Sequence, residues 1–349
     1  MLRSLRAVAR FFSNTIGWNR IGFLLSIALI SVAVVVLVHI LRGLDIDQVF
    51  AALRAVAPHR IALAGMFVAC GYFTLTFYDW FALRTIGHSE IPYATAALSG
   101  FTSYAVGHNI GATVFTGGAV RYRIYSAHGL TAVDIAKICF VAGLTFWLGN
   151  ATVLGLSVVA DPHAAAPITQ LPGWINRLIA VGILTVLFSY IGWVWSAPRS
   201  IGKNDWTVEL PSGPSTLVQI CIGLCDLGSC AMAMFMLLPA EPHVGYVTLL
   251  VVFVSATLLG FASHAPGGLG VFDAAMLIAL WQFNKEDLVA GLLLFRMLYY
   301  IAPFIVALVI LGIREFWLNS RGQKPPPQLT PMKASPPIRS EFENDTIER

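Results

Sequence analysis

The sequence predicts an all-α polytopic membrane protein with about six full spans and two re-entrant or broken-helix hairpins, arranged as an inverted repeat. The first observation is composition: 57% of the residues are hydrophobic and only 11% are charged, whereas soluble domains carry about 25% charged residues. The second is the recurrence of apolar runs long enough to cross a bilayer. The third is a Gly-Gly pair that recurs about 150 residues later, at an equivalent place in the second half.

The spans follow from length, because a membrane helix needs about 20 apolar residues. The first apolar run is too long for a signal peptide and lacks a small-residue cleavage site. The segment before it, residues 1–20, places leucines on one helical face and arginines beside them, which predicts a basic helix lying on the membrane surface. Six stretches meet the length requirement: 21–41, 61–83, 132–158, 176–196, 215–238 and 288–313.

The orientation follows from the positive-inside rule. With the N-terminus in the cytoplasm, fifteen of the 22 Lys and Arg residues fall on the cytoplasmic side and two within spans. The sequence therefore predicts a multi-pass protein with both termini cytoplasmic. The five basic residues left on the outer side are Arg42, Arg54, Arg60, Arg177 and Lys285.

Two further apolar stretches, 94–117 and 246–283, do not fit as simple spans. The first must begin and end inside and the second outside, so each forms a re-entrant hairpin or a tightly packed pair of short helices. The order of elements then repeats, upside down, in halves of about 21–158 and 176–313, an arrangement known from transporters. We expect Gly117-Gly118 and Gly267-Gly268 to break the two hairpins around a shared cavity. The alternative is that these small residues only let helices pack closely.

The ends of the chain and its cysteines indicate no further domain or metal site. Residues 319–349 are rich in proline and poor in large apolar side chains, which predicts a disordered cytoplasmic tail. The membrane domain is therefore expected to occupy 21–318. The spacing of the five cysteines matches no zinc pattern, and no cofactor or metal is expected.

Three of the ionisable residues that lie within apolar runs are singled out, because an ionisable group at mid-bilayer needs a partner or a function. Asp226 is near the centre of the fifth span, Arg296 is well inside the sixth, and Asp79 is near the inner end of the second. Asp226 and Arg296 either form a buried structural ion pair or face a hydrated groove for a charged substrate. For Asp79, exposure at the membrane interface is the alternative.

Four more ionisable residues border the predicted hairpins. Arg121 and Arg123 follow the first Gly pair, while His264 and Asp273 flank the second. The arginines either anchor the chain by the positive-inside rule or recognise phosphate with their planar forks. Ser263-His264 is the only local cluster with catalytic potential, and no third group completes it. Gly-x-Ser-x-Gly, Walker A and His-Glu-x-x-His motifs are absent.

The residues around these charges resemble a known family. TGGAVRYRIY at 116–125, GLTAVDIAKI and LTFWLGN in the first half are similar to the signature of the lysylphosphatidylglycerol synthase transmembrane family. That family is the flippase half of the bacterial multiple peptide resistance factor and its stand-alone relatives. The second half resembles the same family in the segments VELPS, SHAPGGLGVFD and LLLFRMLYYIAP. The resemblance covers about residues 20–315. Asp273 stands where the family usually has glutamate, and Phe295 where tyrosine is common.

The resemblance implies a lipid flippase or transporter of the bacterial inner membrane that moves aminoacylated phosphatidylglycerol, with the synthase domain absent. The motif arginines are then Arg121, Arg123 and Arg296, and the acidic candidates are Asp79, Asp226 and Asp273. Glycolipids, hopanoids and polyprenyl-linked lipids remain alternative substrates. Two other functions stay open: a lipid-modifying enzyme using His264 or Asp273, and a non-catalytic partner of a separately encoded lipid synthase. A homo-oligomer is compatible with the sequence, and nucleic acid is not an expected partner.

Overall fold

The computed structural model describes residues 45–203 and 206–320. Within this part of the chain, five of the six predicted spans are helices long and apolar enough to cross a membrane. The prediction of an all-α polytopic membrane protein is therefore confirmed. The segment 1–20, the stretch 21–41 and the tail beyond residue 320 lie outside the described residues. The five helices are α2 (Pro58–Thr85), α5 (Ala132–Ala160), α7 (Gly173–Ser196), α8 (Gly213–Leu237) and the final helix, of which Lys285–Trp317 is the apolar part.

The final helix changes its hydrogen-bond pattern part-way along its length. It consists of α11 (Lys285–Arg296), a π-helical turn at Met297–Ile301 and α12 (Ala302–Ser320). Such turns often mark functional sites in helices. Side chains of other helices use its backbone oxygens: Tyr72 Oη donates to the Tyr299 carbonyl oxygen and Asn109 Nδ2 to that of Tyr300, each at 3.0 Å. The turn thereby ties the final helix to the rest of the core.

Each predicted hairpin is a pair of short helices. In the first, α3 (Tyr93–Ile110) and α4 (Thr113–Tyr125) pack against each other through a two-residue connection. In the second, α9 (Tyr246–Ala262) leads through a 3₁₀ turn at Pro266–Gly268 into α10 (Val271–Ala279). At 1.5 Å per residue, α4 and α10 reach only about 20 and 14 Å, less than the roughly 30 Å of a bilayer core. Neither second helix can complete a crossing alone.

The remaining elements are small and join the long helices. They are α1 (Ile46–Ala55), a 3₁₀ turn at Ser126–His128, the one-turn α6 (Ala166–Thr169) and a two-stranded antiparallel hairpin between α7 and α8. The strands, β1 (Ser200–Lys203) and β2 (Trp206–Glu209), were not expected from the apolar pattern. Trp206 packs edge-on against Phe140 of α5, with ring centroids 5.8 Å apart. The strands therefore rest on the helical core.

The core is formed mainly by α2 and α8, which pack along much of their length, with α5 against both. By contrast, α7 leaves most of its apolar side chains exposed, including Trp174, Phe188 and Trp195. On a helix that crosses a bilayer, such side chains face acyl chains rather than water. The side of the molecule that carries α7 is therefore a lipid-facing surface.

The crossing of α5 and α8 depends on two glycines. A Cβ added at Gly149 would lie 2.8 Å from Gly223 Cα, and one added at Gly223 would lie equally close to Gly149 Cα. Because real Cβ atoms do not approach backbone so closely, the two helices meet here backbone to backbone. This is the role that small residues commonly have between membrane helices.

We expect Gly149→Val to destabilise the protein by about 1–3 kcal/mol, the usual effect of overpacking, because α5 and α8 would have to separate. Gly182→Val is the matched control, since a Cβ added at Gly182 of α7 meets nothing within 4 Å. Thermal unfolding of both variants in the same detergent tests the comparison. Equal midpoints for the two variants would contradict the assigned role of the crossing.

Candidate functional site

The connections of the two short-helix pairs meet in the interior of the protein. A Cβ added at Gly111 would lie 3.1 Å from Pro266 Cα, and one added at Gly267 would lie 3.5 Å from the His108 carbonyl oxygen. Gly111 and Gly267 adopt φ angles of +82° and +59°, a region that glycine enters without a steric penalty. Glycine therefore allows the backbones of the two connections to lie close together.

The expectation that Gly117-Gly118 would break the first hairpin is wrong. Both residues lie inside α4, and the break falls earlier, at Gly111 and Ala112. A Cβ added at Gly117 would lie 3.1 Å from the Ser103 carbonyl oxygen. Gly117 thus permits close packing of α3 and α4, which was the alternative explanation, whereas a Cβ added at Gly118 would make only an ordinary contact, 3.7 Å from Cys139 Sγ of α5. Gly267 and Gly268 do lie at a break, in the 3₁₀ turn before α10.

A cavity of about 300 Å³ lies where the connections meet. One part of its wall is polar and includes Arg121 and Asp226. Another part is apolar, and there Phe115 is 80% exposed and Trp147 54% exposed. The cavity therefore has a polar interior and an apolar mouth. Further residues of the wall are Tyr78, Tyr104, His108, His264, Gly267, Gly268, Tyr299 and Tyr300.

Arg121 is bound to Asp79 through a two-pronged ion pair between α4 and α2. Its Nε lies 3.0 Å from Asp79 Oδ1, and its Nη2 lies 2.7 Å from the same oxygen. The hydroxyls of Ser99 and Tyr125 also donate to Asp79, at 3.1 and 2.9 Å. Both charged residues are buried, so interface exposure does not explain Asp79. Within this cluster the charge of Arg121 is balanced.

Arg296 is paired with Asp273, not with Asp226. Its Nε lies 2.9 Å from Asp273 Oδ1, and its Nη2 donates to the other carboxylate oxygen. Its Nη1 donates to the Gly267 carbonyl oxygen at 3.2 Å. The sequence predicted a structural ion pair with Asp226 as one possibility for Arg296. Arg296 does form an ion pair, but its partner is Asp273. It fastens the final helix to the break in the second helix pair, beside the cavity.

Arg123 points away from the residues of the cavity wall. Its Nε lies 3.0 Å from Oε1 of Glu315 on α12, in a pair whose side chains are about one-third exposed. Arg314 Nη1 approaches the same carboxylate at 3.4 Å. The structure therefore separates the two motif arginines: Arg121 belongs to the cavity and Arg123 to a bridge between α4 and the final helix.

Asp226 is a buried carboxylate with only neutral donors. Tyr78 Oη donates to Oδ2 at 3.1 Å, and Cys230 Sγ lies 3.7 Å from Oδ1. Asp226 is 5% exposed and lines the cavity. Among the ion pairs of the described residues it has no lysine, arginine or histidine partner within 4 Å. The cavity wall therefore holds a carboxylate whose charge the neighbouring side chains do not balance.

His264 lies at the second connection, in the left-handed backbone region with φ +56°. Its Nδ1 lies 3.0 Å from the Ala262 carbonyl oxygen, and the neighbouring Ser263 hydroxyl donates to the Gly260 carbonyl oxygen at 2.6 Å. Asp273, the nearest acid in the motif, is engaged by Arg296. These two hydrogen bonds hold the backbone of the turn, while Asp273 serves the ion pair with Arg296. Among the described residues, no group of three His, Cys, Asp or Glu side chains could hold a metal ion.

The aromatic part of the wall was not predicted from the sequence. His108 stacks on Tyr299 with ring centroids 5.8 Å apart, and Tyr104 packs edge-on against Tyr78 at 5.7 Å. In the described part of the chain, Nδ1 of His108 is buried without a hydrogen-bond partner. Tyr299 and Tyr300 belong to the motif LLLFRMLYYIAP, in which only Arg296 was predicted to be a site residue. Two tyrosines three and four positions after an intramembrane arginine were the available signal.

No family model matches this chain. Similar proteins include slr0712 of Synechocystis sp., 28% identical over 280 residues that make up 80% of this chain and 86% of that protein. The inner membrane protein YbhN of Escherichia coli is 26% identical over 280 residues, 79% of this chain and 86% of YbhN. The phosphatidylglycerol lysyltransferase of Staphylococcus aureus is 25% identical over 260 residues, 72% of this chain but only 29% of that enzyme.

These matches confirm the resemblance that the motifs indicate. The similarity to YbhN extends over most of both chains, whereas the lysyltransferases are matched over about a third of their length or less. A partial match of that size is expected for a relative of their membrane half. The chain is a membrane protein homologous to the inner membrane protein YbhN and, over a part of their length, to the staphylococcal phosphatidylglycerol lysyltransferases.

Proposed function

We propose that this protein moves a phospholipid with a charged head group, of the aminoacyl-phosphatidylglycerol kind, between the leaflets of the bacterial inner membrane. The observation that carries the proposal is the cavity, which joins a buried polar wall to an exposed apolar mouth. An amphipathic lipid needs both environments at once. A site for a small soluble molecule would not need apolar side chains exposed around its entrance.

The mouth supports lateral entry from the bilayer. Val114 and Phe115 at the start of α4, Trp147 of α5 and Phe261 of α9 all line the cavity and are all exposed. At membrane depth these side chains would lie against acyl chains. A head group could then enter between them while its acyl chains stay in the bilayer.

The polar wall offers groups for both charges of such a head group. Nη1 of Arg121 is not used by Asp79 and lies 3.9 Å from Cys139 Sγ, so it can donate to a lipid phosphate. Asp226 supplies a carboxylate for an ammonium. Since Asp79 already balances Arg121, the wall carries one excess negative charge whenever Asp226 is ionised. That excess favours a head group with an added amine over phosphatidylglycerol itself.

The relationship between the two halves supports alternating access. Ala112 and His264, non-glycine residues with positive φ, lie 152 positions apart at the connections of the two helix pairs. Strained backbone of this kind is typical of functional sites. We propose an inverted repeat whose hairpins enter from opposite faces, with both termini in the cytoplasm. Arg296, Asp273 and Arg123 then position the helices around the head group.

Two other functions remain as alternatives for the same cavity. A lipid-modifying enzyme would use His264, which is exposed and lines the cavity. A non-catalytic partner of a separately encoded lipid synthase would bind the lipid and hand it on without moving it across the bilayer. Only translocation requires that lipid exchange between leaflets in the absence of any other protein.

The test is leaflet exchange in liposomes that contain only the full chain and lysyl-phosphatidylglycerol in a phosphatidylcholine background. A membrane-impermeant amine reagent will modify about half of the amino lipid in protein-free vesicles, and nearly all of it when exchange is fast. Mass spectrometry of lipid not exposed to reagent should show no covalent change. Exchange at the protein-free rate would contradict the proposal, and a new lipid product would favour the enzyme.

A further inference from the structure

Among the described residues, Asp226 differs from Asp79 and Asp273 because it has no cationic partner. Asp79 and Asp273 each hold an arginine in a two-pronged pair. The groups that donate to Asp226 are the Tyr78 hydroxyl and, more distantly, the Cys230 thiol. The titratable and charged groups of the surrounding elements and of the rest of the cavity wall are Cys70, Tyr72, Asp79, Tyr104, His108, Arg121, Cys139, His264, Tyr299 and Tyr300.

None of these groups compensates a charge on Asp226. Arg121 also lines the cavity, but its guanidinium is held by Asp79. The remaining neighbours are neutral hydroxyls, thiols and two imidazoles, one with its ring stacked on Tyr299 and the other exposed at the second connection. An ionised carboxylate in this position would be buried at membrane depth without a counter-charge, which is unfavourable. The empty cavity therefore favours the protonated acid.

A cationic head group reverses that preference. An ammonium next to the carboxylate supplies the missing counter-charge, so the ionised form becomes the stable one. We propose that Asp226 exchanges a proton for the ammonium of the bound lipid, which couples lipid movement to proton movement in the opposite direction. This inference rests on the proposed function of the cavity as a head-group site.

The exchange balances in charge and atoms. When the lipid binds, the carboxylic O–H bond of Asp226 breaks, the proton passes to water in the cavity, and the carboxylate accepts a hydrogen bond from the ammonium. When the lipid leaves on the other side, the carboxylate takes up a proton from water there. One positive charge replaces another at the same site. The proton gradient can then drive a lipid against its own gradient without another energy source.

The first test measures proton release from the full chain in a weakly buffered detergent solution that contains a pH indicator. Lysyl-phosphatidylglycerol with short acyl chains is the probe, phosphatidylglycerol the comparison lipid, and protein-free micelles the blank. We expect release of about one proton per bound lysyl lipid, and an apparent affinity that rises about tenfold per pH unit while Asp226 is protonated. Phosphatidylglycerol should release none.

The matched variants are Asp226→Asn and Asp47→Asn, the latter an exposed acid on α1 remote from the cavity wall. Asp226→Asn should bind the lysyl lipid more weakly and release no proton, while Asp47→Asn should behave as the wild type. Proton release that persists in Asp226→Asn would overturn the assignment to this residue. Binding to the wild type without release would overturn the exchange but leave the proposed function intact.

A second test needs only the wild-type chain, in case Asp226→Asn does not fold. Phosphatidylcholine vesicles that contain the protein, lysyl-phosphatidylglycerol and an entrapped pH dye are given an imposed pH difference. We expect the lysyl lipid to accumulate in the leaflet that faces the acidic side, that is, to move against the proton flow, and a protonophore to abolish this. Lipid exchange insensitive to the pH difference would overturn the coupling. No exchange at all would instead contradict the proposed function.

Discussion

Replacing Asp79 with alanine will strongly lower the stability and the yield of the folded protein. The change leaves the Arg121 guanidinium buried, 3% exposed, without its anion, and it removes the acceptor of two buried hydroxyls. Breaking a buried pair on one side typically costs about 3–5 kcal/mol, a large part of the roughly 5–15 kcal/mol by which an ordinary fold is stable. Thermal unfolding and the monodisperse yield in detergent measure the loss.

A double variant separates the charge from the packing. In Asp79→Asn with Arg121→Met, the amide oxygen still accepts from Ser99 and Tyr125, and no charge remains to be balanced. We expect most of the folded yield to return, because neutral replacements of buried pairs are often tolerated. The same double variant should move lipid poorly, since the arginine donors for the phosphate are gone. A double variant as unstable as Asp79→Ala would contradict the explanation by uncompensated charge.

The matched control for this pair is Arg123→Met. Arg123 lies two residues further along α4, and its pair with Glu315 is about one-third exposed. Such pairs contribute about 0–1 kcal/mol. A loss of stability like that of Asp79→Ala would show that position on α4, rather than burial, determines the effect.

Asp226→Asn will slow the movement of lysyl-phosphatidylglycerol by about tenfold to a hundredfold while the protein stays folded. Asparagine has nearly the same size and still accepts the Tyr78 hydroxyl, but it offers the ammonium no negative charge. A hydrogen bond to a charged group contributes about 1.5–3 kcal/mol, and each 1.4 kcal/mol or so corresponds to a factor of about ten. The liposome assay measures the rate, and the unfolding midpoint checks the fold.

Lipids without an ammonium provide the internal comparison for Asp226→Asn. Any slow exchange of phosphatidylglycerol by the wild type should be unchanged in the variant, because Asp226 stays protonated and uncharged with this lipid and asparagine is uncharged as well. An equal slowing of both lipids would indicate damage to the cavity in general. Wild-type rates for the lysyl lipid would exclude Asp226 from the head-group site.

The sequence alone determined where helices can cross the membrane. Hydropathy is a property of each segment, and the bilayer requires that every backbone group within it be hydrogen-bonded. The apolar stretch 61–83 thus corresponds to α2, Pro58–Thr85. This helix continues into polar residues at both ends, because a helix does not have to end where its apolar residues end. The two shorter stretches likewise became pairs of short helices, one of the alternatives that the orientation argument left open.

The tertiary structure alone decided which charges are paired and which glycines break a helix. Asp79 pairs with Arg121, which lies 42 residues later in the chain, and Arg296 pairs with Asp273 rather than with Asp226. These choices depend on the rotation and depth of each helix against its neighbours, which a linear pattern does not specify. Gly117 and Gly111 are chemically identical, yet one lies in a helix against the Ser103 backbone and the other has a positive φ at a connection. Asp226 was visible in the sequence as a costly charge, but only the packing of α2, α4 and α8 left it without a cationic partner in the described part of the chain, because the guanidinium of Arg121 on the same cavity wall is already paired with Asp79.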